Sequence, residues 1–472
     1  MDADAFAEHL QSSRGRGHVP PASFRGSAGG AACGDLVRID LSVSGERVAD
    51  AGFEASGCGA AVASGSAVVE LVRGAALPDA ARVGATEVAA ELGGLSPGKH
   101  HAAELAADAL HVALGAAVAA NGAAAHNGSR TLVAMSGGVD SAVAALLVRR
   151  SGRDAVAVTL ELWRDPANDA EASCCSAHAV RLARSVAHRM GLAHFTLDLR
   201  TAFAAGVVAP FLADHAAGLT PNPCVRCNGN VRLDAMLAFA DRLGAADLAT
   251  GHYARVTSDG LLRAAADPAK DQSYMLAALA PAALARMRFP LGELHKPQVR
   301  EIARAAGLPV ADKRESQDLC FLAGTGKGAF LARHGGVRER PGAIVDRAGR
   351  AVGRHRGQHL FTVGQRKGLG VAAAEPLFVL AKDRDSNTIT VGTRAELATT
   401  RVAVRDAVLH RPSAEVDRVK LRYRTKPLPC SVATNGDGRL ALQLSEAVDG
   451  AAPGQVACLM RGDVIVGHGV IA

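Results

Sequence analysis

Between residues 131 and 199 the chain alternates continuous apolar runs with segments of helical period. TLVAM (131–135), DAVAVTLEL (154–162) and AHFTLDL (193–199) predict strands buried in a sheet core. SAVAALLVRR (141–150) and SAHAVRLARSVAHRM (176–190) predict helices, with Ser176 as N-cap and Gly152 and Gly191 as stops. Strand–helix alternation of this kind implies a parallel sheet with helices on both faces. Upstream, LVRIDLSV (36–43) alternates like a strand and residues 100–120 read as a helix, an α+β pattern of domain size. NGAAAHNGSR (121–130) reads as the linker between the two. Beyond about residue 336 helical signals give way to short strands with Gly/Asp turns, a small β module followed by a barrel. The expected fold class is therefore multidomain: 1–121 α+β, 130–335 α/β with a parallel sheet, 336–398 a central β module and 399–472 a C-terminal β-barrel. No period of 20–50 residues repeats, which argues against a solenoid.

Composition narrows the class. With 53 Lys and Arg against 46 Asp and Glu, the net charge of +7 permits a polyanionic partner without demanding one. Residues 1–20 show no secretory pattern, and the apolar stretch 111–126 is Ala/Gly-rich and broken by Asn121, so no membrane span and a cytoplasmic location are expected. Nine cysteines with no regular framework point to working thiols in a reducing compartment.

The sharpest local signal is AMSGGVDS (134–141), at the junction of the first buried strand and the first helix of the parallel sheet. Two adjacent glycines let backbone N–H groups approach a phosphate, Ser136 and Ser141 add hydroxyls, and the helix N-terminus supplies positive potential. No Gly-Lys-Ser/Thr follows, so this is not a Walker A loop. A mere tight turn explains the glycines but not the serines flanking Asp140. The loop resembles the pyrophosphate loop of the N-type ATP pyrophosphatases. One branch, the tRNA-specific 2-thiouridylases, matches further, through TPNPxxxCN (220–228), ATGHYARV (249–256), KDQSYML (270–276), ESQDLCF (315–321), GQHLFTVGQRKGLG (357–370), LRYRTKP (421–427) and PGQ (453–455), in that family's order.

The resemblance implies ATP-dependent adenylation of O2 of the wobble uridine of tRNA, with Mg2+, followed by displacement of AMP by sulfur. It assigns Ala134, Met135, Ser136, Gly137, Gly138, Val139, Asp140, Ser141, Leu160 and Gly251 to ATP, and Asn222 and Pro223 to the target base. Lys270, Asp271, Gln272, Arg422, Tyr423 and Gln455 fall on tRNA-facing positions, Cys227 on the nucleophile and Cys320 on the cysteine that takes persulfide from a cysteine desulfurase or a downstream relay protein. His252 reads as a capping or core histidine and stays outside the catalytic set. The chemistry suits these residue types. An amide-like oxygen must become a leaving group, and the nucleophile must be soft.

One position departs from the family's commonest form: after Asn-Pro, where aspartate is usual, stands Cys224. No fourth ligand for a structural zinc is evident near Cys224, Cys227 and Cys320. A redox pair would leave the third thiol unexplained. Two readings stay open. Sulfur passes as a persulfide from Cys320, with an intermediate disulfide to Cys227; or all three thiolates hold a [4Fe–4S] cluster with one iron open. The departure at Cys224 favours the second. Cys174 and Cys175 read as loop or helix-start residues.

CGDLVRIDLSV (33–43), FEASGCGAAVASGSAVVELVRG (53–74) and GKHHAAELAADAL (98–110) resemble the IscU/NifU-type iron–sulfur scaffolds. That likeness maps metal ligands onto Cys33, Asp35, Cys58 and His101, a donor set suited to zinc or iron, while the last scaffold cysteine falls on Ala102. A tRNA sulfurtransferase with a fused sulfur-handling module is the reading these motifs support. The alternatives are an amidotransferase-coupled synthetase, disfavoured because no glutaminase-like region is evident, and an iron–sulfur scaffold or sulfur carrier whose nucleotide domain leaves tRNA unmodified.

Overall fold

The computed structural model describes residues 3–29, 34–122, 124, 127–165, 176–314, 319–322, 325–434 and 439–472. The N-terminal unit is an antiparallel sheet of Phe24–Gly29, Leu36–Ser44 and Arg47–Ser56, with helices Gly59–Val72 and His100–Ala120 packed on it. Inward positions of the alternating middle strand, Val37, Ile39 and Leu41, are fully buried, as its period of two requires. The stretch Pro97–Ala120 is long and apolar enough to cross a membrane by length and composition, yet 72% of its apolar window is buried inside the protein.

The long helix is shared. One face covers the N-terminal sheet, and another covers the strand Ala193–Asp198, at one edge of the next domain's five-stranded sheet. A Cβ on Gly115 would lie 1.8 Å from the carbonyl oxygen of Thr196, so only glycine allows this approach. Arg181 and Arg184 of the neighbouring helix both reach Asp108, at 2.7 and 2.6 Å. The N-terminal unit is thus docked on its neighbour rather than hung from it.

The sheet of that neighbour runs Met287–Arg288, Ala245–Ala249, Asn127–Ala134, Asp154–Glu161, Ala193–Asp198, all parallel. Its first strand in sequence begins at Asn127, inside the expected linker. Polar residues extend it because Arg130 pairs with Asp154 across the ladder and Asn127 N–H donates to Gly244. Helices Val139–Arg150 and Ala177–Arg189 form as their patterns predict, and Ser176 Oγ caps the second by accepting from Ala179 N–H at 3.1 Å. After Asp198 the chain returns to the other side of Asn127–Ala134 to lay down Ala245–Ala249. This creates a switch point outside the carboxyl ends of those two strands, where open α/β sheets bind ligands.

A four-stranded sheet over 342–392 follows, then, among the described residues, six strands between Ala398 and Ile471 that close into a barrel through the pairing of the first with the last. The barrel is not a separate appendage. Its last strand also pairs with Leu262–Arg263 of a hairpin from the α/β domain. Between the two, Lys420 and Asp271, both almost buried, form an ion pair at 3.0 Å.

Candidate active site

At the switch point the loop 135–138 turns from strand into helix. Gly137 has φ +68, a left-handed conformation, and a Cβ there would meet the Ala179 carbonyl at 2.8 Å. Ser141 Oγ donates to the Gly138 carbonyl at 3.0 Å and accepts from Ser136 N–H at 3.1 Å, closing the loop on itself. Gly251, just past the strand Ala245–Ala249, packs so closely that a Cβ would lie 2.7 Å from Asp140 C and Ser141 N. These contacts bound a cavity of about 220 Å³, into which Ala134, Met135, Ser136, Asp140, Ser141, Leu160 and Gly251 all project. Val139 instead joins the core behind the loop.

Two lysines that carry no local motif stand beside this loop. Lys296 Nζ donates to both oxygens of Asp140, at 2.7 and 2.8 Å, and Tyr253 O–H donates to the same carboxylate at 2.9 Å. Lys313 Nζ reaches the Gly137 carbonyl at 3.0 Å. Both are distant in sequence, so nothing but the fold could have found them.

A second cavity of about 640 Å³ abuts the first. Cys224, Cys227 and Cys320 all line it, along with Pro223, Lys270, Gln272 and Tyr423. Asn222 accounts for the local geometry. Its Oδ1 accepts from Cys224 N–H and Val225 N–H, capping the short helix Pro223–Cys227, and Pro223 sits at the first helical position where its missing N–H costs nothing. The two thiols three residues apart therefore share one face of a turn. Cys227 is buried and the other two are half-buried. Cys33, Cys174 and Cys175 lie outside the described residues, as does the ESQD part of the motif before Cys320.

Asp140, Leu162, Arg232, His252 and Gln272 line both cavities. His252 Nε2 lies 3.1 Å from Arg232 Nη2, and its Nδ1 is 2.8 Å from Thr250 Oγ1. Burial, reinforced by the guanidinium, pushes its pKa down to about 3, so the ring is neutral and accepts from Arg232.

The remaining tRNA-facing candidates divide. Lys270, Gln272 and Tyr423 open on the thiol cavity, and Arg424 stacks over the Tyr423 ring at 5.9 Å. Asp271 is held within the chain, by Lys420 and by the N–H groups of Ala265 and Ser273. Arg422 donates to the carbonyls of Asp449 and Gly450, and Gln455 Nε2 donates to Thr220 O at 2.7 Å. Gln455 thereby fixes the barrel to the loop that enters the Asn222 cap.

In the N-terminal unit, Asp35, Cys58 and His101 are the group of three among the described residues whose ligand atoms lie within 4.8 Å of one another. Asp35 Oδ1 accepts from Cys58 N–H at 2.9 Å, and its Oδ2 faces Cys58 Sγ and His101 Nε2 at 3.2 and 3.1 Å. The hydrogen bond from Cys58 N–H holds the Asp35 carboxyl below its usual range. Ala102, beside His101, is fully buried in the helix core.

A glycine-rich strand-to-helix loop at the switch point of a parallel sheet, beside a cavity lined by three thiols, is the arrangement expected of the class of nucleotide-using enzymes that do sulfur chemistry. Four family descriptions match in order: a NifU-like N-terminal domain over residues 1–122, a tRNA methyl transferase HUP domain over 129–324, a tRNA methyl transferase PRC-barrel domain over 328–393 and an aminomethyltransferase beta-barrel domain over 402–471. The bifunctional protein NifU/MnmA of Rubrobacter xylanophilus is 44% identical over 479 residues, covering 98% of this chain and 97% of that one. The tRNA-specific 2-thiouridylases MnmA of Xanthobacter autotrophicus and Geobacter metallireducens are 43% and 38% identical, over 71% and 72% of this chain and 89% and 96% of theirs. The chain belongs to the tRNA-specific 2-thiouridylase family, in the form fused to a NifU-like N-terminal domain.

Proposed function

We propose that the chain is an ATP-dependent tRNA-uridine 2-sulfurtransferase that thiolates the wobble uridine of tRNA, working in the cytoplasm. The observation that carries this reading is the shared wall of the nucleotide and thiol cavities, because adenylation and sulfur attack act on two faces of one carbon–oxygen unit. Ser136, the loop N–H groups and the N-terminus of helix Val139–Arg150 bind the pyrophosphate of ATP, with Lys296 and Lys313 supplying charge. Asp140 is the carboxylate suited to Mg2+, releasing Lys296 to phosphate. Uracil O2 attacks the α-phosphorus, the bond to pyrophosphate breaks, and N3 releases its proton. Sulfur then adds to C2, and the C2–O bond breaks with its electron pair leaving on AMP. Asn222 and Pro223 stand against the base. Lys270, Gln272 and Tyr423 receive the anticodon arm, while Arg422, Asp271 and Gln455 set the shape of that surface from within.

For sulfur supply, the terminal sulfur of a Cys320 persulfide is one source. Cys227 thiolate would then attack Cys320 Sγ, freeing the thiouridine and closing a disulfide that a dithiol reductant reopens. Cys224, Cys227 and Cys320 line one cavity of about 640 Å³, which leaves room for a cluster bound through three thiolates. They would hold a [4Fe–4S] cluster, which would supply sulfur at the sulfide level. The thiol at position 224, idle in the persulfide route, favours the cluster. The N-terminal unit would hold zinc or iron through Asp35, Cys58 and His101, with Cys33 added on the resemblance alone, and would pass sulfur to its neighbour.

Purified full-length chain, incubated with ATP and unmodified tRNA, is expected to release pyrophosphate only when tRNA is present, and Asp140→Ala to abolish that release. Pyrophosphate release indifferent to tRNA would remove the reading and leave the scaffold or sulfur-carrier alternative.

A further inference from the structure

We infer that Arg232 is the catalytic cation that binds the α-phosphate at the junction of the two cavities, through adenylation and again as AMP departs. The inference rests on the proposed reaction. Of the five side chains lining both cavities, Arg232 is the one positively charged at neutral pH, since His252 is neutral there. Among the described residues no carboxylate pairs with it. Among those residues the one side-chain hydrogen bond it makes is to neutral His252, and its Nε is buried with no partner. A guanidinium left with an unused, desolvated donor at the wall between an ATP cavity and a thiol cavity is placed for an anion.

The backbone explains how it gets there. Arg232 ends the π-helical segment Asn228–Arg232, which follows Cys227 directly. In a regular α-helix a residue five positions on lies about 140° round the axis from its starting point. The wider π turn brings Arg232 back towards the face of Cys227, and such insertions mark functional sites. Nucleophilic thiol and guanidinium therefore ride on one rigid turn. When O2 attacks the α-phosphorus and the pyrophosphate oxygen leaves, charge grows on the non-bridging oxygens between the cavities. When the C2–O bond breaks, the electron pair settles on the phosphate of AMP at the same place. One donor serves both steps. Contacts to pyrophosphate stay with the loop and the two lysines.

The test uses the full chain with tRNA and ATP. Arg232→Met is expected to lower the rate constant of tRNA-dependent pyrophosphate release by about 10–100-fold, the usual range for loss of one charge-assisted bond, with tRNA affinity unchanged. Arg232→Lys should recover part of the rate, and Arg232→Ala should be rescued by added guanidinium ion. Rescue also shows that the variant is folded. Pyrophosphate release at the wild-type rate from Arg232→Met, or an Arg232→Ala variant that binds ATP normally and is not rescued, would overturn the assignment. Weakened tRNA binding at an unchanged chemical rate would overturn it too, making Arg232 a contact to the tRNA backbone. Wild-type chain that releases no pyrophosphate with tRNA would instead fault the parent reading.

Discussion

Gly251 gives the most quantitative handle on the proposed nucleotide site. Its φ is not positive, so alanine fits the backbone conformation and any effect of Gly251→Ala is steric. The new Cβ would stand 2.7 Å from Asp140 C and Ser141 N and 3.0 Å from Asp140 O. Unstrained carbon contacts lie at about 3.5–4.0 Å, so the turn after strand Ala245–Ala249 and the helix N-terminus must separate by about 0.8–1.3 Å. The atoms met are backbone and cannot rotate away. Overpacking of this kind costs about 1–3 kcal/mol. Expressed in the conformation that holds the nucleotide, that is a loss of about 5–150-fold in ATP affinity. Calorimetric titration of a non-hydrolysable ATP analogue into the full chain reads it. Gly128→Ala, whose Cβ would meet nothing within 4 Å, is the control and should bind normally. An analogue affinity within twofold of wild type for Gly251→Ala would refute the claim that close backbone approach at Gly251 shapes the site.

Three further outcomes are expected. Burial pushes His215 and His252 down to about 3, so between about pH 3 and the unfolded value near 6.5 the unfolded chain holds more protons and stability falls as pH falls, by up to about 1.4 kcal/mol per unit for each ring. Thermal midpoints should be flat above pH 7 and drop between 6.5 and 5, less steeply in His215→Leu; a flat profile across that window would contradict it. Replacing Arg424 and Lys426, both exposed on the barrel side, with Gln should reduce the salt slope of tRNA binding by about 1.5–2 without changing ATP affinity, and an unchanged slope would remove them from the interface. Cys58→Ser should lose bound metal and slow thiolation when sulfur is limiting but not with excess sulfide; equal activity under limiting sulfur would make the N-terminal unit structural only.

The apolar runs and capping residues were sufficient to place the parallel sheet, its helices and the loop 134–141, because a buried strand and an N-cap are written in neighbouring residues. Ser176 is the clearest case. What could not be read was whatever depends on contacts between distant segments. Lys296 and Lys313 are ordinary lysines until the fold brings them to Asp140 and the Gly137 carbonyl. Arg232 depends on a π turn that no local pattern announces. The barrel reads as a separable module, yet Lys420, Gln455 and the strand pairing to Leu262–Arg263 lock it to the catalytic domain. A chain cut near residue 398 would remove Lys420 and so strip Asp271 of its cationic partner. Likewise residues 121–130 read as the linker between two domains, and nothing in them announces that Asp108 and Gly115 tie the N-terminal helix to its neighbour. Point changes therefore test these units more cleanly than deletions.

The most direct test is nucleoside analysis by mass spectrometry of tRNA recovered after incubation with the full-length chain, ATP, Mg2+ and sulfide, without oxygen. 2-Thiouridine at the wobble position, formed with ATP and lost when Asp140 or Cys227 is replaced, is the predicted result. Recovered tRNA with no sulfur at that position, while ATP is still converted to AMP and pyrophosphate, would contradict the assignment of the thiol cavity.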